Sequence, residues 1–256
     1  MPALGRMRRL RRNKQTPAPP PASDRLLAHA APEDRSIIER AMPYTMTGGH
    51  RLLALMDAVR YCQAREIGGS FAECGVWRGG SVLAMILTLQ QLAAQPRDIY
   101  LYDTFAGMTE PTELDTSPVD PPALQTWRAA ACSEARPWEE MFGSDVFDED
   151  SVRTLLASTG YPAEHLKFVR GPVEKTIPGT LPDGLALLRL DTDWYESTRH
   201  ELHHLFPLLS PGGVLIIDDY GHWDGARRAV DEYFGDRHPP LLLSRIDYTG
   251  RIAIKH

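Results

Sequence analysis

The spacing of apolar residues changes between two periods from about residue 51 onward. Helical spacing predicts five helices, over residues 51–66, 81–95, 151–158, 197–209 and 224–233. Short apolar runs predict five strands, over residues 70–74, 98–103, 166–170, 185–190 and 214–217. Two more runs, at 241–247 and 251–255, flank a Tyr-Thr-Gly turn and predict an antiparallel hairpin. This alternation indicates an α/β protein with a mostly parallel sheet, helices on both faces and the hairpin at its C-terminal end.

Two regions of the chain lack this periodicity. Residues 1–14 carry six basic residues and no acid, and several prolines follow, so we expect residues 1–24 to form a disordered tail. Residues 25–256 then form one domain. Within it, about residues 106–147 are irregular and rich in proline and acids, and we expect short helices there that cover the substrate as a lid.

Composition narrows the function classes. The 256 residues carry a formal net charge of −6, which argues against a general nucleic-acid binder. No apolar run approaches the ~20 residues of a membrane-spanning helix, so no span is expected. The three cysteines are too few and too scattered for a disulfide scaffold or a cysteine-rich zinc site, which favours a cytoplasmic protein.

A glycine-rich turn, residues 75–80, joins the first predicted strand to a helix. Its spacing is neither that of a dinucleotide fold nor that of a P-loop, which disfavours a dinucleotide-dependent oxidoreductase. Glu73, just before the turn, would repel a pyrophosphate and suit a cationic ligand, while Asp103 at the end of the second strand suits the two hydroxyls of a ribose. Together they favour a positively charged nucleoside without phosphate, such as S-adenosylmethionine. A tight turn with a capping acid is the alternative.

Four aspartates follow the ends of two predicted strands: Asp191, Asp193, Asp218 and Asp219. Neighbouring parallel strands lie ~4.8 Å apart, so these carboxylates are expected to converge and to repel one another. A hard divalent cation such as magnesium, calcium or manganese would relieve that repulsion, and a carboxylate not used by the metal could accept a proton. Ion pairs with a nearby arginine are the alternative: Arg189, Arg199 or Arg227.

Histidines provide two further candidates. Residues 200–204 match H-E-x-x-H, the helix signature of zinc proteases, but no third ligand follows at the expected spacing. Apolar positions around the motif favour a packed helix whose histidines face solvent. His222, beside the acids, either acts on the substrate or caps the next helix.

Four sequence blocks, in this order, resemble the macrocin O-methyltransferase family. They are ECGVWRGG at 73–80, YDTFAGM at 102–108, LRLDTDWYEST at 188–198 and SPGGVLIIDDYG at 210–221. The resemblance implies a Rossmann-like class I methyltransferase fold with a seven-stranded, mostly parallel sheet, and the cofactors S-adenosylmethionine and Mg²⁺.

The resemblance also implies roles for individual residues. Asp191, Asp218 and Asp219 match the metal ligands, and Asp193 matches the proposed general base. The implied cofactor-binding residues are Thr45, Met46, Glu73, Cys74, Gly75, Val76, Trp77, Asp103, Thr104, Phe105, Gly107, Gly171 and Asp191.

We therefore expect methyl transfer from S-adenosylmethionine to a hydroxyl of a sugar in a natural product or glycolipid. The partner is a small glycosylated molecule, and a homodimer is compatible with this interpretation. A catechol- or phenol-type O-methyltransferase with the same metal site is one alternative. A binding protein that keeps the fold without turnover is another.

Overall fold

The computed structural model describes residues 30–132, 137–143, 147–235 and 241–256. The tail predicted over residues 1–24 lies outside these ranges, as do parts of the irregular insertion. Within the described ranges, no helix is both long enough and apolar enough to cross a bilayer.

One seven-stranded sheet with the order β3-β2-β1-β4-β5-β7-β6 forms the centre of the fold. The first five strands run parallel, and β7 is antiparallel to both β5 and β6. The predicted fold class is therefore confirmed, including the C-terminal hairpin. The strands are β1 Ser70–Cys74, β2 Ile99–Asp103, β3 Leu166–Arg170, β4 Leu185–Leu190, β5 Leu209–Ile217, β6 Ser244–Arg245 and β7 Arg251–Ile254.

Nine α-helices and three short 3₁₀ turns connect the strands within the described ranges. The helices are α1 Pro32–Ala41, α2 Gly49–Ala64, α3 Gly80–Gln91, α4 Ala123–Cys132, α5 Glu139–Phe142, α6 Glu149–Ala157, α7 Val173–Thr176, α8 Tyr195–His204 and α9 Asp224–Gly235. Helices α1 and α7 were not predicted from the sequence. The short helices α4 and α5 lie in the insertion, as expected.

Several predicted boundaries are wrong: the helix predicted over 81–95 ends at Gln91, β5 begins before the predicted residue 214, and β6 covers only Ser244–Arg245 of the predicted 241–247. The helix predicted to reach residue 209 ends at His204, and Phe206–Leu208 forms a 3₁₀ turn around Pro207, which lacks the N–H needed to continue a helix. Strand β5 then begins at Leu209 and absorbs the Pro-Gly-Gly segment through a register irregularity opposite β4.

Successive side chains of the central strands pack into two apolar layers, one on each face of the sheet. In β1, Phe71 packs with α2 and α3 in one layer, whereas Ala72 and Cys74 face the layer formed with α8 and α9. Glu73 therefore points into the first layer, and the parallel register places it opposite Arg189 of β4. Strand pairing thus brings a carboxylate and a guanidinium together in the interior.

Candidate active site

A single cavity of about 500 Å³ opens at the carboxyl ends of β1, β2, β4 and β5, where α/β sheets bind their ligands. The glycine-rich turn, the insertion and the β6–β7 turn complete its walls. Most of the predicted site residues line it: Thr45, Met46, Gly75, Val76, Trp77, Asp103, Thr104, Gly107, Gly171, Asp191, Asp193, Asp218 and Asp219.

The other three predicted cofactor residues lie behind the cavity wall. Glu73 and Cys74 are buried in β1, and Phe105 packs on Phe168 with its ring 5.9 Å away. They support the residues that face the cavity, and direct contact between them and a cofactor stays a prediction.

The glycine-rich turn lies against the end of β4. Gly75 has a φ of +83°, and a Cβ at this position would overlap the carbonyl oxygen of Asp191. The Asp191 N–H donates to the carbonyl of Cys74 at 2.9 Å, which fixes the two strand ends side by side. Glycine is needed here both for its left-handed backbone and for the close approach.

Asp103 joins this turn to the end of β2. Its Oδ2 accepts from the backbone N–H groups of Val76 at 2.7 Å and Trp77 at 2.9 Å, and its Oδ1 accepts from that of Phe105 at 2.7 Å. Burial raises the pKa of Asp103, and these hydrogen bonds oppose the rise. A carboxylate has about four acceptor sites, so three donors leave roughly one for a ligand. That Asp103 binds the two ribose hydroxyls stays a prediction.

Arg189 is the centre of a buried ion network. Its guanidinium, almost wholly inaccessible to solvent, is ion-paired with Glu73 and with Asp191, the latter at 2.7 Å. Its Nη2 donates to Asp218 Oδ1 at 2.7 Å and to the Thr47 hydroxyl at 2.7 Å. Burial raises the pKa of Glu73 to about 7, and the charge of Arg189 opposes that rise.

The predicted arginine alternative is partly right. Arg189 does pair with the acids, whereas Arg199 pairs with Glu196 at 3.9 Å and Arg227 with Asp224 at 3.3 Å. A second partner was not predicted from the sequence: Arg51 of α2 forms an ion pair with the other oxygen of Asp218.

The carboxyl groups of this cluster outnumber the guanidinium groups. Asp191, Asp218 and Asp219 each offer an oxygen, and the three oxygens lie within 4.8 Å of one another. With Glu73 and Asp193, the network and its edge hold three more carboxyl groups than guanidinium groups. Burial raises the pKa of Asp219, as does its repulsion by Asp193 and Asp191. By charge and by donor type, the cluster fits a hard dication.

Asp193 lies at the edge of this cluster in an unusual backbone conformation. Its φ is +66°, its N–H donates to Asp219 Oδ2 at 3.1 Å, and its Oδ1 accepts from the Trp223 indole at 2.8 Å. Burial, reinforced by the charge of Asp191, raises the pKa of Asp193 to about 7. A carboxyl group with that pKa can exchange a proton near neutral pH.

An aromatic wall faces the acids. The rings of Trp138 and Trp194 are 5.8 Å apart, and those of Trp194 and Trp223 are 5.0 Å apart in an edge-to-face contact. All three line the cavity. The site therefore combines a strongly acidic end with a flat apolar side.

A buried carboxylate fastens the insertion to the domain. Asp115 is 1% exposed; its Oδ1 accepts from the Tyr195 N–H at 2.7 Å and its Oδ2 from the Thr112 N–H at 2.6 Å. The neighbouring Thr116 carbonyl accepts from the Asp224 N–H at 2.8 Å. We call this set of bonds the Asp115 clasp. It holds the first part of the insertion on the N-termini of α8 and α9, and closure of the remainder as a lid stays a prediction.

The histidine candidates differ in their surroundings. In α8, His200 bonds the Ile177 carbonyl at 2.9 Å, while Glu201 turns inward and accepts from the Thr192 hydroxyl at 2.9 Å. The aspartate cluster is the one metal-ligand grouping found among the described residues. His222 lines the cavity and bridges Asp120 of the insertion, at 2.7 Å, and the Tyr248 hydroxyl, at 2.9 Å.

The sequence model of a family described as macrocin-O-methyltransferase (TylF) matches residues 9–254. The chain belongs to the macrocin-O-methyltransferase family. The predicted family is confirmed, and the protein is a methyl-transferring enzyme.

Relatives in the macrocin-O-methyltransferase family are similar over most of their length. The 8-demethyl-8-(2,3-dimethoxy-alpha-L-rhamnosyl)-tetracenomycin-C 4'-O-methyltransferase of Streptomyces olivaceus is 35% identical, over 90% of this chain and 80% of that enzyme. The mycinamicin III 3''-O-methyltransferase of Micromonospora griseorubida is 31% identical, over 76% of this chain and 71% of that enzyme. The solved structure of the O-methyltransferase NovP has 29% identity and a TM-score of 0.69, over 83% of this chain and 82% of NovP.

Three residues of this family member's site escaped the sequence analysis. Arg51, Asp115 and Trp223 reach the site from α2, the insertion and the segment before α9. None of the three lies in a motif with a spacing typical of a catalytic or binding site. Only the folded chain brings them to the acids.

Proposed function

We propose that the protein transfers the methyl group of S-adenosylmethionine to a hydroxyl of a sugar in a natural product or glycolipid, with Mg²⁺ bound beside the reacting atoms. The observation that carries this proposal is a single cavity lined both by Asp103 and by the cluster Asp191, Asp218 and Asp219. An acid suited to a ribose and an all-oxygen ligand set therefore share one space. Family membership supplies the reaction class.

The charge of the cavity suits S-adenosylmethionine, whose sulfonium and amino groups are cationic. Seven acids line the cavity, against one arginine, Arg51, among the described lining residues. Asp103 would accept from a ribose hydroxyl, and Gly75 lets the turn pack closely against the Asp191 carbonyl at the cavity wall. Thr45, Met46 and Gly171 line the same cavity and would complete the cofactor's surroundings.

Methyl transfer is a direct displacement. The acceptor oxygen attacks the methyl carbon, the bond between that carbon and sulfur breaks, and S-adenosylhomocysteine leaves. Asp193 takes the hydroxyl proton, for which a pKa of about 7 suits it. Holding both reactants in one cavity can contribute roughly 7–11 kcal/mol of the barrier reduction.

Asp191, Asp218 and Asp219 would hold the magnesium ion. When bound, it would polarise the acceptor hydroxyl and lower its pKa. Arg51 already contacts one oxygen of Asp218, so metal binding competes with that ion pair. A dication would offset the repulsion by Asp191 and Asp193 that raises the pKa of Asp219.

The acceptor assignment rests on the relatives and on the aromatic wall. Two relatives are named for a rhamnosylated tetracenomycin and for mycinamicin III. The flat faces of Trp138, Trp194 and Trp223 suit the apolar face of a sugar, next to acids that would bind its hydroxyls.

The test is a methylation screen. The purified protein is incubated with S-adenosylmethionine, Mg²⁺ and matched pairs of glycosides and their aglycones, with simple catechols as a third group. We expect a mass gain of one methylene on glycosides alone. Methylation of catechols and not of glycosides would overturn the sugar assignment. Asp193→Asn should lose turnover while calorimetry still detects cofactor binding, and full activity in this variant would remove Asp193 from the mechanism.

A further inference from the structure

We infer that Trp223 is a positioning residue for Asp193: its indole N–H fixes one carboxylate oxygen of the base and thereby sets where the second oxygen lies. This inference rests on the proposed role of Asp193 as proton acceptor. It adds a residue from outside the four sequence blocks that carry the family resemblance.

The bond between the two residues has a defined polarity. Trp223 Nε1 lies 2.8 Å from Asp193 Oδ1, and an indole nitrogen can only donate. It therefore stabilises the ionised carboxylate. It cannot accept a hydrogen bond from the O–H of a protonated carboxyl group at that oxygen. Because a carboxylate is planar and rigid, fixing one oxygen also restricts the other.

The backbone of Asp193 is fixed as well. Its left-handed φ of +66° is held by the hydrogen bond from its N–H to Asp219 Oδ2. A non-glycine residue in this region of conformational space is uncommon and costs energy that the surrounding structure must offset. Main chain and side chain of Asp193 are thus restrained by two different partners.

Trp223 itself has little freedom. It is 8% exposed, and its backbone N–H donates to the Asp219 carbonyl at 3.1 Å. Its ring is in edge-to-face contact with Trp194 and with His222, at centroid distances of 5.0 and 4.9 Å. An indole held on two sides can orient the carboxylate that it contacts.

A residue that only filled space would act differently. Trp223→Phe keeps an aromatic ring and deletes the N–H. If Trp223 acts through Asp193, kcat should fall about 10- to 100-fold, the loss expected for one hydrogen bond to a charged group. The Kd for S-adenosylmethionine, measured by calorimetry, should stay within about twofold by the same reasoning, because this bond does not involve the cofactor. If Trp223→Phe does not fold, Trp223→Leu replaces it, because leucine also lacks a hydrogen-bond donor.

A double-mutant cycle with Asp193→Asn tests whether Trp223 acts through Asp193 or only fills space. In the Asp193→Asn background, Trp223→Phe should cause no further loss of kcat, because the group it orients is gone. Tyr195→Phe is the matched control: it deletes an exposed 2.6 Å hydrogen bond from α8 to Glu232 of α9 and should keep wild-type kcat.

Two results would overturn the inference: wild-type kcat in Trp223→Phe, or losses that multiply in the double variant. Failure of the underlying proposal has a different signature, because Asp193→Asn alone would then remain active.

Discussion

Replacing Arg189 should lower the stability of the protein, because it leaves the buried acids around it without their shared partner. Arg189→Met keeps an unbranched apolar side chain but removes the guanidinium shared by Glu73, Asp191 and Asp218. Breaking a buried ion pair by removing one partner costs about 3–5 kcal/mol. For a chain of this size that corresponds to a fall in Tm of roughly 6–20 °C.

The loss should depend on pH. Burial raises the folded-state pKa of Glu73 to about 7, above its unfolded value of 4.5. A raised acid pKa means that the folded state binds the proton more tightly, so stability falls as pH rises between these two values. Removing Arg189 deletes the main charge that lowers this pKa and moves it higher still. The variant's deficit should therefore be larger at pH 8 than at pH 6.

Urea unfolding followed by tryptophan fluorescence measures both effects. Arg228→Met is the control, because it breaks an exposed 2.7 Å pair with Glu232 and should leave the midpoint unchanged. Mg²⁺ should raise the stability of Arg189→Met more than that of the wild type, since a dication can replace the lost charge. Wild-type stability of Arg189→Met at pH 8 would refute the reasoning, and Arg189→Lys offers a milder change if the methionine variant does not fold.

Three further outcomes are expected. Gly75→Ala should abolish methyl transfer in the product assay, because its Cβ would overlap the Asp191 carbonyl, whereas Gly184→Ala, whose nearest neighbour is 3.8 Å away, should stay active. Glu201→Gln should have the stability of the wild type in urea unfolding at low pH and a higher stability as pH rises. Burial raises the pKa of Glu201 in the folded state, so the unfolded wild type loses this proton at a pH where the folded state still keeps it, and that favours unfolding. Chelation with EDTA should remove turnover and added Mg²⁺ should restore it; activity that EDTA leaves untouched would contradict the metal assignment.

Local pattern was sufficient for most of the sheet. The predicted strands 70–74, 166–170 and 185–190 coincide with β1, β3 and β4, because buried parallel strands are short, continuous apolar runs bounded by turn residues. The start of β5 was not predictable in this way. Its Pro-Gly-Gly segment breaks the local pattern, and pairing with β4 and β7 holds it in the sheet.

The site was predictable only where its residues follow strands. Asp103, Asp191 and Asp218 end parallel strands, so topology alone brings them to one edge. Arg51 pairs with Asp218 across 167 positions of sequence, and Asp115 reaches Tyr195 across 80. Contacts at such separations leave no periodicity in the chain, and they depend on packing that local pattern does not determine.

The Asp115 clasp divides the insertion into a part anchored to the domain and a part that lines the cavity. Through Tyr195 the clasp lies beside Asp193 and Trp194, whereas the described residues of the insertion beyond Ala123 that line the cavity include Trp138, Met141 and Phe142. We predict that exchanging these residues for those of another family member changes which acceptors fit; Met141 should be kept, because its carbonyl accepts from the Trp77 indole at 2.8 Å. The Asp115 clasp thus marks where an exchanged segment should begin, because the residues before it are anchored to α8 and α9.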